Sequence, residues 1–424
     1  MAFSAATEWE VRTTGATDNG GGFQVGSTGT DYSQQDSPQV TYTDLVIDGA
    51  TNTKLTSAAN PFTSAHVGNI INITSGTGFT VQRVQIVSVA AGAATCDKSC
   101  GTLGSTGGNG KLGGGLTTIA AAFALCVAQN TVWVKAGTYT LIAVAAVTVS
   151  VSLRGYSATH GDNSTKPLIT TATDSTPLLD LSADPMWVDN LRLTNTASIR
   201  DQGIKRGTGT GASITATRCI FDGLSIAIGD AGAGQAPFYN GTISQCQFLN
   251  STVRSLEIFS LLFLEDCYFS DSAGHHVDMP AAATYINRCI FARAATYGIG
   301  TTATGDRRIH VKNSVFYANG TNGIQTTGGS NMCVIGAIVN CIFWSNNTYG
   351  ISLNGSLQVS SKLLLMNNAY GDNTTANINP VPAHQIGAIT LTADPFTSST
   401  DFSLNSVAGG GALCKGVGIE VSTT

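Results

Sequence analysis

Apolar residues in the C-terminal two-thirds of the chain recur in three columns. The first is marked by an aromatic residue closing a four-residue segment. It reads Arg218-Cys219-Ile220-Phe221, Gln245-Cys246-Gln247-Phe248, Asp266-Cys267-Tyr268-Phe269 and Arg288-Cys289-Ile290-Phe291. It continues as Asn313-Ser314-Val315-Phe316, Asn340-Cys341-Ile342-Phe343 and Asn367-Asn368-Ala369-Tyr370. The aromatic residues are 21 to 27 positions apart. Eight residues after the aromatic comes an aliphatic series, Leu256, Val277, Ile299, Ile324 and Ile351, and three of these follow Gly. Five residues before it comes another: Ile243, Leu264, Ile286, Val311, Ile338 and Leu365.

These columns predict a stacked coil. Side chains alternate across a strand, so Cys and Phe, two apart, share a face. The aliphatic five before the Phe has the wrong parity for that strand, so a bend must fall just before Cys. Asn190, Asn313, Asn340 and Asn367 stand at that bend. Asn accepts the left-handed backbone of a sharp turn, and its amide can bond along a stack. One unit is then three short strands and three turns. It cannot bury its own apolar face, whereas about ten stacked coils, spaced roughly 4.8 Å, bury a continuous core. A leucine-rich repeat would need a Leu-x-Leu signature, which is absent.

The rest of the chain divides around this repeat. Residues 1–40 are polar and Gly-rich and read as an extended arm. Residues 41–100 hold strand-like runs and read as a small β module. Residues 101–130 read as a Gly-rich linker (101–115) followed by a helix over 116–128, where Ile119, Ala122, Phe123, Cys126 and Val127 share one face. That helix is expected to cap the open end of the first coil. Residues 131–424 are expected to form the coils and a C-terminal closing segment around Gly409–Val421.

Composition narrows the function classes. Charged residues are 11% of the chain and the net charge is −5, which speaks against nucleic-acid binding. No apolar run is long enough to cross a bilayer. The start of the chain lacks the basic and apolar regions of a secretory leader. Cys219, Cys246, Cys267, Cys289 and Cys341 occupy one repeat position and read as stacked free thiols. Cys96 and Cys100 could bond to each other, but nothing nearby completes a zinc site, so no metal or other cofactor is expected.

The Asn-bearing bend, the capping helix, the run Val132-Trp133-Val134-Lys135-Ala136-Gly137 entering the coils and the closing segment after Asp401-Phe402-Ser403-Leu404 resemble right-handed parallel β-helix proteins of the pectin-lyase-like class. The resemblance covers residues 116–424. It implies an all-β, single-stranded, right-handed parallel β-helix with an N-terminal capping helix and a small N-terminal β module. The class includes polysaccharide lyases, glycoside hydrolases, adhesins and bacteriophage tailspikes, so fold alone does not choose a function.

In that class, the resemblance implies, carbohydrate sites lie outside the sheet that carries the Gly-Ile column. The outward neighbours of that column are Lys205, Ala227, Glu257, Asp278, Gly300, Gln325 and Ser352. Glu257 and Asp278 fall on neighbouring coils, about 5 Å apart by strand spacing, as the acid and nucleophile of a retaining glycosidase require. They are the candidate catalytic pair. His275, His276, Tyr297, Gln325 and Tyr349 are candidate carbohydrate contacts. Gly274-His275-His276-Val277 and Arg308-Ile309-His310 resemble polygalacturonase signatures, but Thr252-Val253-Arg254-Ser255 lacks that family's acid pair, and Arg308 falls in another strand.

Between Cys and Phe runs an outward and largely apolar stripe: Ile220, Gln247, Tyr268, Ile290, Val315, Ile342 and Ala369. Either a long loop or another subunit must cover it. A homotrimer around this face is expected. The reading that follows is a virion protein, a phage tailspike, fibre or surface appendage. It would bind host cell-surface polysaccharide and other virion proteins through its N-terminal module. The rival is a secreted polysaccharide-degrading enzyme, and a bacterial adhesin is a third reading.

Overall fold

In the computed structural model, the described residues are 3–171, 173, 177–196, 202–206, 212–229, 238–278, 283–301, 307–326, 334–353, 363–379 and 384–418. The chain forms two units, one of residues 1–170 with 181–191 and one of residues 171–180 with 192–424.

In the first unit, strands Val40–Ile47, Lys54–Thr56, Ala93–Cys96, Gln82–Ala90, Ile70–Ser75 and Thr106–Leu112 close into a barrel in that order. Tyr42, Leu45, Ile71, Val84, Cys96 and Cys100 fill it, and both thiols are free. The closing strand Thr106–Leu112 lies where the sequence suggests a linker. Its glycines are a packing requirement: a Cβ at Gly108 would lie 2.5 Å from the Phe79 ring, and one at Gly110 would lie 2.9 Å from Leu45.

Residues 1–40 are likewise more than an arm. Thr7–Val11 pairs in parallel with Asn130–Lys135, which pairs with Val151–Tyr156, which pairs with Met186–Asp189. Trp9 and Val11 are fully buried. Trp9 donates from Nε1 to Asn130 Oδ1 at 3.2 Å. The helix spans only Ile119–Phe123, capped by Thr118, whose Oγ1 accepts from the Ala121 amide at 3.1 Å. It packs against the strands at 7–11, 130–135 and 145–147 through Ile119, Ala122 and Phe123.

The second unit is a parallel coil with three sheets. The first contains Ser213–Thr217, Phe238–Ser244, the latter half of Arg254–Glu265, Ala283–Asn287 and Arg307–Lys312. The second contains the short strands with the aromatic column, from Arg192–Asn195 to Ile389–Thr390. The third carries the Gly-Ile column, including His275–Asp278, Tyr297–Thr301, Asn322–Thr326 and Tyr349–Ser352. The expected bend is present in every described coil. Arg218, Gln245, Asp266, Arg288, Asn313, Asn340 and Asn367, each one residue before the Cys position, have φ of 51 to 55°. A second left-handed bend follows the aromatic at Asn250, Asp271, Arg293, Ala318, Ser345 and Asp372, with φ of 51 to 59°.

Inside, Phe221, Phe248, Phe269, Phe291, Phe316, Phe343 and Tyr370 stack with ring centroids 4.6 to 5.3 Å apart. The Cys column has a polar task as well as an apolar one. The amide of Cys219 donates to Cys246 Sγ at 3.3 Å, that of Cys289 to Ser314 Oγ at 3.1 Å and that of Cys341 to Asn368 Oδ1 at 2.9 Å. Cys, Ser and Asn interchange here because each offers an acceptor to the coil before it. The glycines before the third-sheet aliphatics are not turn residues. Gly298, Gly323 and Gly350 lie within strands, and a Cβ on Gly298 would press against Gly323 O at 2.8 Å.

The later part of the apolar stripe is covered by the chain itself. Leu391 and Phe396 are buried with Trp344 and Ala369, and Phe402, Leu404 and Cys414 pack over Val315, Ile342 and Ile389. Arg293 donates from Nη1 to the Ser399 carbonyl at 2.7 Å. The C-terminal segment therefore lies back along the second sheet over Tyr268, Val315, Ile342 and Ala369. The described part of the predicted closing segment belongs to this strap, and residues 419–421 lie outside the described residues.

Candidate functional site

The third sheet positions the site through strict register. Ile228, Leu256, Val277, Ile299 and Ile324 pair strand to strand and face inward. The position after each faces out, so Glu257, Asp278, Gly300 and Gln325 form one outer column. Because Ile228 is the paired aliphatic, Gly229 rather than Ala227 precedes Glu257 in that column. A Cβ on Gly229 would lie 2.8 Å from that of Glu257. The carboxylate pair is thus flanked on both sides by residues without side chains.

Three residues before Glu257, Arg254 pairs with His275, which neighbours Tyr297. Arg254 Nη1 lies 3.0 Å from Asp278 Oδ2 and 3.5 Å from Glu257 Oε1, so one guanidinium serves both carboxylates. All three side chains are about a quarter exposed, which makes the cluster firmer than a surface pair yet open to solvent. His275 stacks on the Tyr297 ring at 4.8 Å. Burial, reinforced by Arg254, pushes the His275 pKa down to about 4, so the ring is neutral at ordinary pH. Burial and then Asp278 raise the Tyr297 pKa, so its hydroxyl keeps its proton.

The other expected contacts part company with this group. His276 is fully buried, with Nε2 2.9 Å from the Ala292 carbonyl, and it sits beside Phe269 and Phe291. It is a core side chain. Gln325 is buried and accepts from Asn322 Nδ2. Tyr349 is half-buried and separated from Tyr297 by Asn322 in the strand order. Arg308 belongs to the first sheet, paired with Ala283 and Ile335, away from the His275 column. The residue that sequence reasoning passed over is Arg254. Its signal was available, two positions before Leu256 in the same register as His275 and Tyr297, but it emerges only when basic as well as acidic residues are sought there.

The site is thus a cation shared by two carboxylates, beside a neutral imidazole stacked on a phenol. Its donors and acceptors suit a polyhydroxylated ligand, and an aromatic edge suits the apolar side of one. Among the described residues no group of three His, Cys, Asp or Glu is placed to hold a metal ion.

The family described as "Right handed beta helix region" matches residues 202–369. The protein is a right-handed parallel β-helix. Solved structures similar to it include pectate lyase Pel9A, at 13% identity and a TM-score of 0.40 over 69% of this chain and 74% of that one. The catalytic unit of a GH87 alpha-1,3-glucanase from Streptomyces thermodiastaticus is 11% identical, with a TM-score of 0.34 over 84% and 85% of the two chains. The tailspike protein gp49 of Pseudomonas phage LKA1 is 12% identical, with a TM-score of 0.24 over 88% of this chain and 65% of that one. No curated protein matches the sequence.

Proposed function

We propose that this β-helix is a glycan-binding appendage of a virion, which holds host cell-surface polysaccharide against the outer face of its third sheet. The observation that carries the reading is Arg254 bound to Glu257 and Asp278 together. In a retaining glycosidase, repulsion between two close carboxylates helps one of them keep its proton. Here one guanidinium lies within ion-pair distance of both carboxylates and ties them into a single fixed cluster. What remains is a rigid array of hydroxyl partners beside the His275–Tyr297 pair. The barrel of residues 40–112 is a separate packed module, suited to attachment to the particle.

A second reading, glycan cleavage, is favoured by one observation: Glu257 and Asp278 occupy directly paired positions on adjacent strands. The two readings separate in one assay. Purified capsule or lipopolysaccharide from candidate hosts is titrated with the protein, and new reducing ends are counted. Binding without new ends is expected, weakened about tenfold or more in Asp278→Ala, since a hydrogen bond to a charged group contributes about 1.5–3 kcal/mol. New ends that vanish in both Glu257→Ala and Asp278→Ala would establish the cleavage reading instead. Binding unchanged in Asp278→Ala would remove this face from the account.

A further inference from the structure

The outer face of the first sheet, a different wall of the coil, carries an aromatic ladder that ends abruptly. Thr242, Phe263, Tyr285, His310 and Ala337 pair in register on successive strands. Phe263 stacks on Tyr285 with centroids 4.9 Å apart, and Tyr285 stacks on His310 at 5.0 Å. Tyr285 therefore has both ring faces covered. Phe263 has one covered, and its other face looks toward Thr242, a side chain too small to cover it. Phe263 is 42% exposed.

A second column runs two residues further along the same strands: Ser244, Glu265, Asn287 and Lys312. A cavity of about 290 Å³ opens between the columns, bordered by Thr242, Phe263, Tyr285 and His310 on one side and by Ser244, Glu265, Asn287 and Lys312 on the other. Glu265 is held in place, its Oε1 accepting from Arg288 Nη2 at 2.8 Å and from Asn287 Nδ2 at 3.3 Å. Both bonds fall on one oxygen, which leaves Oε2 as a spare acceptor among the described residues. The hydroxyls of Thr242 and Ser244 project from the same wall.

We propose that this cavity is a second glycan subsite, which takes one ring of a neutral hexose chain. A hexose is amphipathic in the same way as the cavity: an apolar face of C–H groups and an equatorial rim of hydroxyls. The open face of Phe263 receives the first, and Glu265, Thr242 and Ser244 receive the second. The volume is at the lower end of small-ligand sites, which suits a single ring with its neighbours outside. The cavity runs across the strands from Thr242 to Lys312, with the bound ring at its Phe263 end and the rest of the chain directed along the columns. Glu265 and Lys312 line the cavity with opposite charges, which gives no net preference for an ionised sugar and suits a neutral one.

Two blander roles fit less well. Sheet stabilisation accounts for the stacked faces but not for a cavity beside the uncovered one. A second copy of the chain would need about 800 Å² of buried surface on each partner, with charges depleted at its centre. Here the charged Glu265, Lys312 and Arg308 interleave with the exposed Phe263 and Tyr285.

The ligand class rests on the glycan-binding reading above, but the site does not, and the variants keep the two apart. Saturation-transfer difference NMR on the full chain with maltotetraose, cellotetraose and laminaritetraose tests it. At least one tetraose should show transfer, lost in Phe263→Ala and weakened several-fold in Glu265→Gln, with an exposed change in the barrel, Val81→Ser, leaving it unchanged. Thermal unfolding of Phe263→Ala should stay near the parent, since the ring is exposed. Transfer from none of the three, or transfer that survives Phe263→Ala, would overturn the proposal. So would sedimentation showing a dimer that Phe263→Ala makes monomeric. Loss in Asp278→Ala alone would leave the third-sheet site standing and remove this one.

Discussion

At the scale of single residues, position in the stack decides what a side chain does. His275 and His276 are neighbours in sequence, yet one stacks on Tyr297 at the surface and the other lies in the core. Burial pushes the His276 pKa from an ordinary 6.5 down to about 4. A value depressed in the folded state gives a stability term that is fully present above pH 6.5 and is lost as pH falls through about 4. The term is of order 3 kcal/mol. Chemical unfolding of the parent and of His276→Asn from pH 7 to pH 4 should show the parent losing this term and the variant lacking it. Parallel pH profiles would mean that His276 is protonated or solvated in the fold. The left-handed bends teach the same lesson. Asn313, Asn340 and Asn367 announced theirs chemically, but Arg218, Gln245 and Arg288 adopt the same φ. Their amides donate to the next coil, as Arg218 does to the Ser244 carbonyl at 3.0 Å and Arg288 to that of Lys312 at 3.2 Å, and this offsets the strain.

At the scale of elements, ladders hold the coils in register. The stacked Phe column was legible because its spacing repeats. A buried Asn ladder was not, since it occupies only three coils and Asn reads as a turn residue. Asn319 Nδ2 donates to Asn346 Oδ1 at 2.9 Å, and Asn346 Nδ2 to Asn373 Oδ1 at 3.0 Å. The same amides also reach the carbonyls of Phe291, Phe316 and Phe343. Asn346→Leu keeps the volume but strands partners on both sides, at about 1–3 kcal/mol for each buried group left unpaired. A urea titration should show at least about 3 kcal/mol lost. A cost below about 1 kcal/mol would mean that waters replace the amide. The barrel strand Thr106–Leu112 was illegible for the opposite reason. Its glycines mimic a linker, although Gly108 exists to admit Phe79.

At the scale of the molecule, the C-terminal segment changes what the surface offers. It lays Phe396 and Phe402 against Tyr317 at 5.7 and 5.2 Å and closes over Val315, Ile342 and Ala369 of the apolar stripe. Truncation after Thr390 should therefore expose Val315, Ile342 and Ala369 and drive self-association, visible by light scattering against a monodisperse parent. A truncated chain that stays as dispersed as the parent would show that the strap is not what keeps this face apart. The amino-acid sequence by itself determined the coil, its inward columns and its first bend, because these depend on parity and on repetition, which a single chain displays. It also placed Glu257 beside Asp278, since parallel register follows from the repeat. Only the tertiary structure decided that Arg254 joins that pair, that Phe263 keeps one face open and that the tail covers the later part of the stripe. Each depends on a contact between residues on different coils or segments, whose sequence separations follow no common period.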